Sequence, residues 1–198
     1  MADRTLIHIP IIHTEMEMGS LAPGLAQAHR ERKGEAKYEQ HKLTVEQIWD
    51  TLHDRILALP LDFTQAHLYQ DSLPVCGKEP EIVRDLAGQG SRNHQLLRSL
   101  VGRGATLHGT EDAQFLIQEY EIQKQLLQNP SAPPPAADLL AVREHRDRFI
   151  ARHIDKTLPT AATGLLFIGL LHEVPCHLPN SIAIDYQFHE LFFGKPTA

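Results

Sequence analysis

The feature that most constrains the fold is an unbroken apolar run at residues 164–171 (GLLFIGLL). The run is bounded by turn residues, and such runs are typical of strands that are covered on both faces in a parallel sheet. It therefore predicts a buried strand. Four further strands are predicted at residues 6–12, 66–69, 105–108 and 182–186. Pro10 in the first of them favours an edge position or a bulge, because proline removes one hydrogen-bond donor from the ladder.

Helical patterns alternate with these strands. The predicted helices cover residues 43–59, 81–87, 91–100, 111–128 and 136–158. Thr44 and Ser91 are the expected N-caps of two of them. The alternation predicts an α/β fold, in which a mostly parallel sheet is flanked by helices in a single domain spanning residues 1–198.

Two segments depart from the alternation. Residues 22–41 are rich in charge, Gln, Ala and Gly, and we expect a surface excursion there that is partly helical and mobile. Residues 129–137 (NPSAPPPAA) predict a stiff proline-rich connector.

Composition excludes several classes of protein. The net charge of −6 argues against a general nucleic-acid binder, which usually carries a basic face. No apolar run approaches 18 residues, so no membrane-spanning helix is predicted. Two cysteines, Cys76 and Cys176, cannot make a disulfide framework, and we expect a reduced cytoplasmic protein. The 13 histidines favour metal binding or acid–base chemistry, although many of them could simply be polar surface residues.

Polar residues follow the predicted strands, at the edge where open parallel sheets bind their ligands. The candidate site residues at these strand ends are His13, Glu15, Asp71, His172 and Glu173. Imidazole with carboxylate suits zinc, manganese or iron, and it suits metal-free acid–base catalysis equally well. Glu111 and Asp112 follow the third strand, but acids there also fit the start of a helix. A purely structural role stays open for each of these residues.

Arg146 is the last candidate, because it falls within the apolar face of the predicted helix at 136–158. An arginine on a buried face must be paired or must reach a cleft. It could clamp a substrate carboxylate or phosphate, or stabilise negative charge in a transition state. The structural alternatives are an ion pair with Glu144 or Asp147 and an aliphatic stem that reaches solvent.

Short motifs give the chain a resemblance to a known superfamily. A GxxH motif, Gly169-Leu-Leu-His172, closes the most apolar strand, and an Arg146-Asp147 pair lies on the helix before it. Pro10-Ile-Ile-His13 ends the first strand with the same histidine but without the glycine, and Asp71 follows the second strand. In these features the chain resembles the superfamily of TraB proteins, Tiki-type proteases, ChaN haem-binding proteins and erythromycin esterases. The resemblance implies an α/β core with paired histidines at one rim, in relatives that include metal-dependent peptidases.

Three hypotheses follow from the sequence. The first is a hydrolase for a small-molecule or peptide substrate, metal-dependent or His-based. In it His13 and His172 bind a divalent metal (zinc or manganese) or share the role of general base, and Glu15 or Asp71 completes the site. The second is a non-catalytic regulatory protein that binds a small anion or a cofactor through Arg146. The third is a protein-interaction subunit that docks through residues 22–41 and 129–137. A homo-oligomer is compatible with each of them.

Overall fold

The protein has a central sheet of five strands. A computed structural model describes residues 3–14, 17–129 and 136–194. The strands are β1 (Arg4–Ile11), β2 (Ala66–Pro74), β3 (Thr106–Glu111), β4 (Thr163–Gly169) and β5 (Ile182–Asp185). Their order across the sheet is β3-β2-β4-β1-β5, and every pair of neighbours is parallel. The predicted α/β fold with a parallel sheet is therefore confirmed.

Helices cover the sheet and complete the alternation of elements. They are α1 (Ala22–Lys33), α2 (Glu35–Leu57), α3 (Glu79–Gly88), α4 (Arg92–Gly102), α5 (Ala113–Gln128), α6 (Ala136–Thr157) and the short α7 (Glu190–Phe193). Ser91 caps α4 as predicted, because its side chain accepts a hydrogen bond from the backbone N–H of His94. In the described ranges, none of these helices is both long and apolar enough to cross a membrane.

The segment at residues 22–41, which was expected to be a partly helical surface excursion, is helical and largely exposed. Gly34 takes a positive φ of 84° between α1 and α2. Within the segment only Ala26 and Tyr38 are buried. The predicted N-cap Thr44 is wrong, because α2 begins at Glu35 and the Thr44 hydroxyl donates to a backbone carbonyl inside the helix. Most of the predicted connector at 129–137 lies outside the described residues.

The apolar sequence of strand β4 is explained by the burial of both of its faces. Leu165 and Phe167 belong to one core, which α2 and α4 cover. Leu166 and Ile168 belong to a second core, formed mainly with residues of α6. Successive side chains of a strand point to opposite faces, so a strand covered on both faces needs an apolar residue at every position.

Pro10 lies where the ladder can accommodate it. Strand β5 pairs with β1 only from Arg4 to Ile7, whereas β4 pairs with β1 as far as Ile11. At Pro10 the strand therefore has a partner on one side only, which agrees with the edge position expected for a proline.

The end of β2 is irregular, and this irregularity positions the polar residues that follow. The register with β3 shifts between Gln70 and Pro74, and Ser72 takes a positive φ of 62° within the shift. A β-bulge of this kind re-aims the side chains beside it. Gly109 of β3 lies directly against the bulge, because a Cβ built on it would be 2.5 Å from the Pro74 carbonyl oxygen.

We predict that Gly109→Ala lowers the free energy of unfolding by about 1–3 kcal/mol, because the new methyl group would clash with backbone atoms. Urea denaturation measures this change. Gly102→Ala is the matched control, since a Cβ there meets nothing within 4 Å, and it should change the stability by less than about 0.5 kcal/mol. Equal effects of the two substitutions would contradict the close contact between β3 and the bulge.

Candidate functional site

The carboxyl ends of the strands bring His13, Asp71 and His172 together. The His13 Nε2 atom lies 3.1 Å from Asp71 Oδ2, and the His172 Nε2 atom lies 3.7 Å from the same oxygen. Two imidazoles that are distant in the chain thus meet at one carboxylate. The three residues line a cleft of about 420 Å³ at this edge of the sheet.

Gly169 explains the glycine of the GLLH motif. Its backbone N–H donates to Asp71 Oδ2 over 2.9 Å. A Cβ at this position would lie 3.0 Å from that oxygen and 3.6 Å from the His13 Nε2 atom. The absence of a side chain therefore lets the β4 backbone approach the carboxylate and leaves room for both imidazoles.

His13 is held between two carboxylates. Its Nδ1 atom lies 3.0 Å from Glu17 Oε2, and its Nε2 atom faces Asp71. Burial alone would lower the pKa of His13, but the hydrogen bonds to Asp71 and Glu17 outweigh burial and raise the pKa to about 10. Glu17 also accepts a hydrogen bond of 2.6 Å from the Ser91 hydroxyl. His13 is therefore an imidazolium at neutral pH, and it donates from both nitrogens.

His172 is oriented by Asp147 of α6. The Nδ1 atom of His172 is hydrogen-bonded to Asp147 Oδ1, and the other carboxylate oxygen accepts the backbone N–H of Glu173 over 2.8 Å. The His172 Nε2 atom faces Asp71 at 3.7 Å, beyond hydrogen-bonding distance. Burial lowers the pKa of His172, but the hydrogen bond to Asp147 and the charge of Asp71 raise it above the ordinary value. Nε2 is thus the nitrogen left available to a ligand.

Arg146 lies beneath the cleft and is fully paired with carboxylates. It donates from Nε and Nη2 to the two oxygens of Glu111 over 3.1 and 2.6 Å, and from Nη2 to Asp71 Oδ1 over 2.8 Å. Its Nη1 atom pairs with Glu119 of α5. These contacts direct the donors of Arg146 at protein carboxylates and favour a positioning role, and the expected clamp on a substrate anion stays a prediction.

Arg146 has different effects on the pKa values of the two buried carboxylates, Asp71 and Glu111. Burial raises the pKa of Asp71, but His13, His172 and Arg146 outweigh burial and hold it well below its usual range. Burial raises the pKa of Glu111, and the Arg146 guanidinium offsets this only in part. Asp71 is thus the fixed anion of the site.

Two of the expected site residues are not brought into the cluster. Glu173 is exposed and does not line the cleft, and only its backbone N–H takes part, through Asp147. Glu15 lies outside the described residues. The acid that pairs with His13 is instead Glu17, four residues along the chain.

The arrangement of donors does not fit the expected zinc or manganese. Both nitrogens of His13 face carboxylates, and the Nδ1 atom of His172 is bound to Asp147. Within residues 3–14, 17–129 and 136–194, no three His, Cys, Asp or Glu side chains are grouped to hold a metal ion. We derive no step through a metal, and metal binding stays a prediction from the sequence.

The candidate site residues did not include four carboxylates that complete the cluster, namely Glu17, Glu111, Glu119 and Asp147. Glu111 stood at a strand end, but it also fitted the start of a helix. Asp147 was expected as an ion-pair partner of Arg146 and in the family motif, and its contact with His172 was not predicted. Glu119 gave no signal, because only the packing of α5 brings it to Arg146.

Comparison with known proteins adds no further assignment. No protein-family model matches the chain, and neither a curated protein nor a solved structure shows significant similarity to it. The resemblance to TraB- and ChaN-type proteins therefore stays a prediction. Function has to be argued from the geometry of the site.

We predict that Arg146→Met lowers the free energy of unfolding by about 3–5 kcal/mol, because it leaves buried carboxylates without their cation. Arg148→Met is the matched control on the same helix, since Arg148 is exposed and pairs only with Glu144 in the described chain. We expect the control to cost less than about 1 kcal/mol. Urea denaturation at pH 7 compares the two, and a small loss for Arg146→Met would contradict its role as the buried counter-ion.

His13 should remain protonated at neutral pH and titrate near pH 10. A folded-state pKa above the ordinary value of 6.5 means that protonated His13 stabilises the fold. This contribution is fully present below pH 6.5 and is lost as the pH rises towards 10. NMR titration of the imidazole measures the pKa, and the stability advantage over His13→Gln should shrink across that window. A His13 that titrates between pH 6 and 7 would refute the double ion pair.

Proposed function

We propose that the protein is a hydrolase in which His172 is the general base and protonated His13 holds the buried carboxylate of Asp71 in place. The observation that carries the proposal is the Asp147–His172 pair, whose free Nε2 atom faces the cleft beside His13. A carboxylate that holds Nδ1–H fixes the tautomer in which Nε2 accepts a proton. The two histidines therefore differ in role, because carboxylates bind both nitrogens of His13 but only the Nδ1 atom of His172.

The reaction begins with a water molecule beside His172 Nε2. As the water oxygen bonds to the substrate carbonyl carbon, its proton passes to Nε2 and the carbonyl π electrons move onto oxygen. The bond to the leaving group then breaks, and protonated His172 returns the proton to that group. His172 and His13 end the cycle in the protonation states in which they began it.

The partners of His13 suit it to the role of a fixed cation. With Glu17 and Asp71 on its two nitrogens, it releases a proton only near pH 10. A group with such a pKa is a poor base at neutral pH but a persistent positive charge. This differs from the expectation that both histidines act as bases.

The other two hypotheses receive less support from the same contacts. A regulatory anion site anchored on Arg146 would need donors that already bind Asp71, Glu111 and Glu119. The docking hypothesis keeps a largely exposed segment at residues 22–41, but most of its second segment, at residues 129–137, lies outside the described residues. Both hypotheses stay predictions from the sequence.

We predict that His172→Asn lowers kcat/KM by about 10²–10⁴-fold, the usual contribution of a general base. Asp147→Asn should lower it as well, because the amide no longer fixes the Nδ1–H tautomer. The measurement is hydrolysis of a panel of ester and amide substrates by the purified chain. His53→Ala is the control, since His53 does not line the cleft.

Retention of full activity by both His172→Asn and Asp147→Asn would refute the proposed mechanism. The same is true if the wild-type chain hydrolyses no member of the panel. Circular dichroism of each variant separates a loss of activity from a loss of fold.

A further inference from the structure

Arg143 is a cation of the cleft that the proposed mechanism does not use. It lies on α6, one turn before Arg146, and its half-buried side chain lines the same cleft. In the described parts of the chain its guanidinium has no hydrogen-bond or ion-pair partner, whereas Arg146 is saturated with carboxylates. The donors of Arg143 therefore remain free, and their planar fork matches a carboxylate.

The walls of the cleft are mostly apolar. The apolar side chains on the two sides include Met18, Leu21, Ile82, Leu116, Leu170 and Leu171. Such walls favour a hydrocarbon group by removing it from water. A volume of about 420 Å³ lies within the range of small-molecule sites.

We infer that the cleft binds an amide that carries a carboxylate and an apolar side chain, such as an N-acyl amino acid. Arg143 takes the carboxylate in a bidentate pair, and the amide is the bond that the proposed hydrolysis breaks. The apolar walls take the side chain. This inference rests on the proposed hydrolase function and names its substrate class, with Arg143 as the residue that determines specificity.

The test uses two probes that differ only in charge, N-acetyl-leucine and N-acetyl-leucinamide. Calorimetric or NMR titration of the full chain should show the acid binding about tenfold or more tightly than the neutral amide. Arg143→Gln should bring the affinity for the acid down to that for the amide. Arg143→Lys should retain part of the difference, because it keeps the charge but loses the fork. Arg148→Gln, on the same helix, should bind as the wild type does.

Equal affinities of the wild-type chain for the two probes, binding of neither, or unchanged binding of the acid by Arg143→Gln would overturn the inference. The outcome is separable from that of the proposed function. Binding that depends on Arg143 together with hydrolysis that survives His172→Asn would reject the mechanism and keep the anion site. The reverse pair of results would reject only the anion site.

Discussion

The buried carboxylate of Asp71 is the interaction on which the site depends. It accepts hydrogen bonds from the Gly169 backbone, from His13 and from Arg146, and thereby joins β4, the end of β1 and helix α6. An ionised carboxylate is stable in an interior only if its oxygens are paired and hydrogen-bonded. Asp71 lies within the bulge of β2, and the missing side chain of Gly169 lets the β4 backbone N–H reach its carboxylate. The local backbone geometry therefore allows the Asp71 oxygens to be paired.

The three basic side chains around Asp71, namely His13, Arg146 and His172, have different contacts and therefore different roles. Arg146 neutralises the deep carboxylates and cannot turn to the cleft. His13 is shared with Glu17 and stays charged, whereas His172 has a second carboxylate, Asp147, on the nitrogen that faces away from Asp71. Carboxylates thus bind both nitrogens of His13, but they leave the Nε2 atom of His172 without a hydrogen bond. In the proposed mechanism this difference separates a base from a fixed positive charge.

The sequence predicted the sheet better than the contacts within the site. The run at 164–171 predicted a strand covered on both faces, because burial on both sides leaves a pattern within the strand itself. The strand ends predicted His13, Asp71 and His172 together, since parallel strands deliver their carboxyl ends to one edge. Glu119 and the role of Asp147 were not predictable, because their partners are set by the packing of helices and leave no local pattern.

Helix packing also determines which of the two arginines of α6, Arg143 or Arg146, has free hydrogen-bond donors. The two arginines are three residues apart on α6, and both line the same cleft. Arg146 lies deep enough for Asp71 and Glu111 to enclose its guanidinium, and the cost of burying those acids requires a cation there. Arg143 lies one turn nearer the amino end of the helix and beyond the reach of those carboxylates. A ligand anion that enters the cleft therefore meets free guanidinium donors at Arg143, whereas the donors of Arg146 are already paired with the protein's own acids.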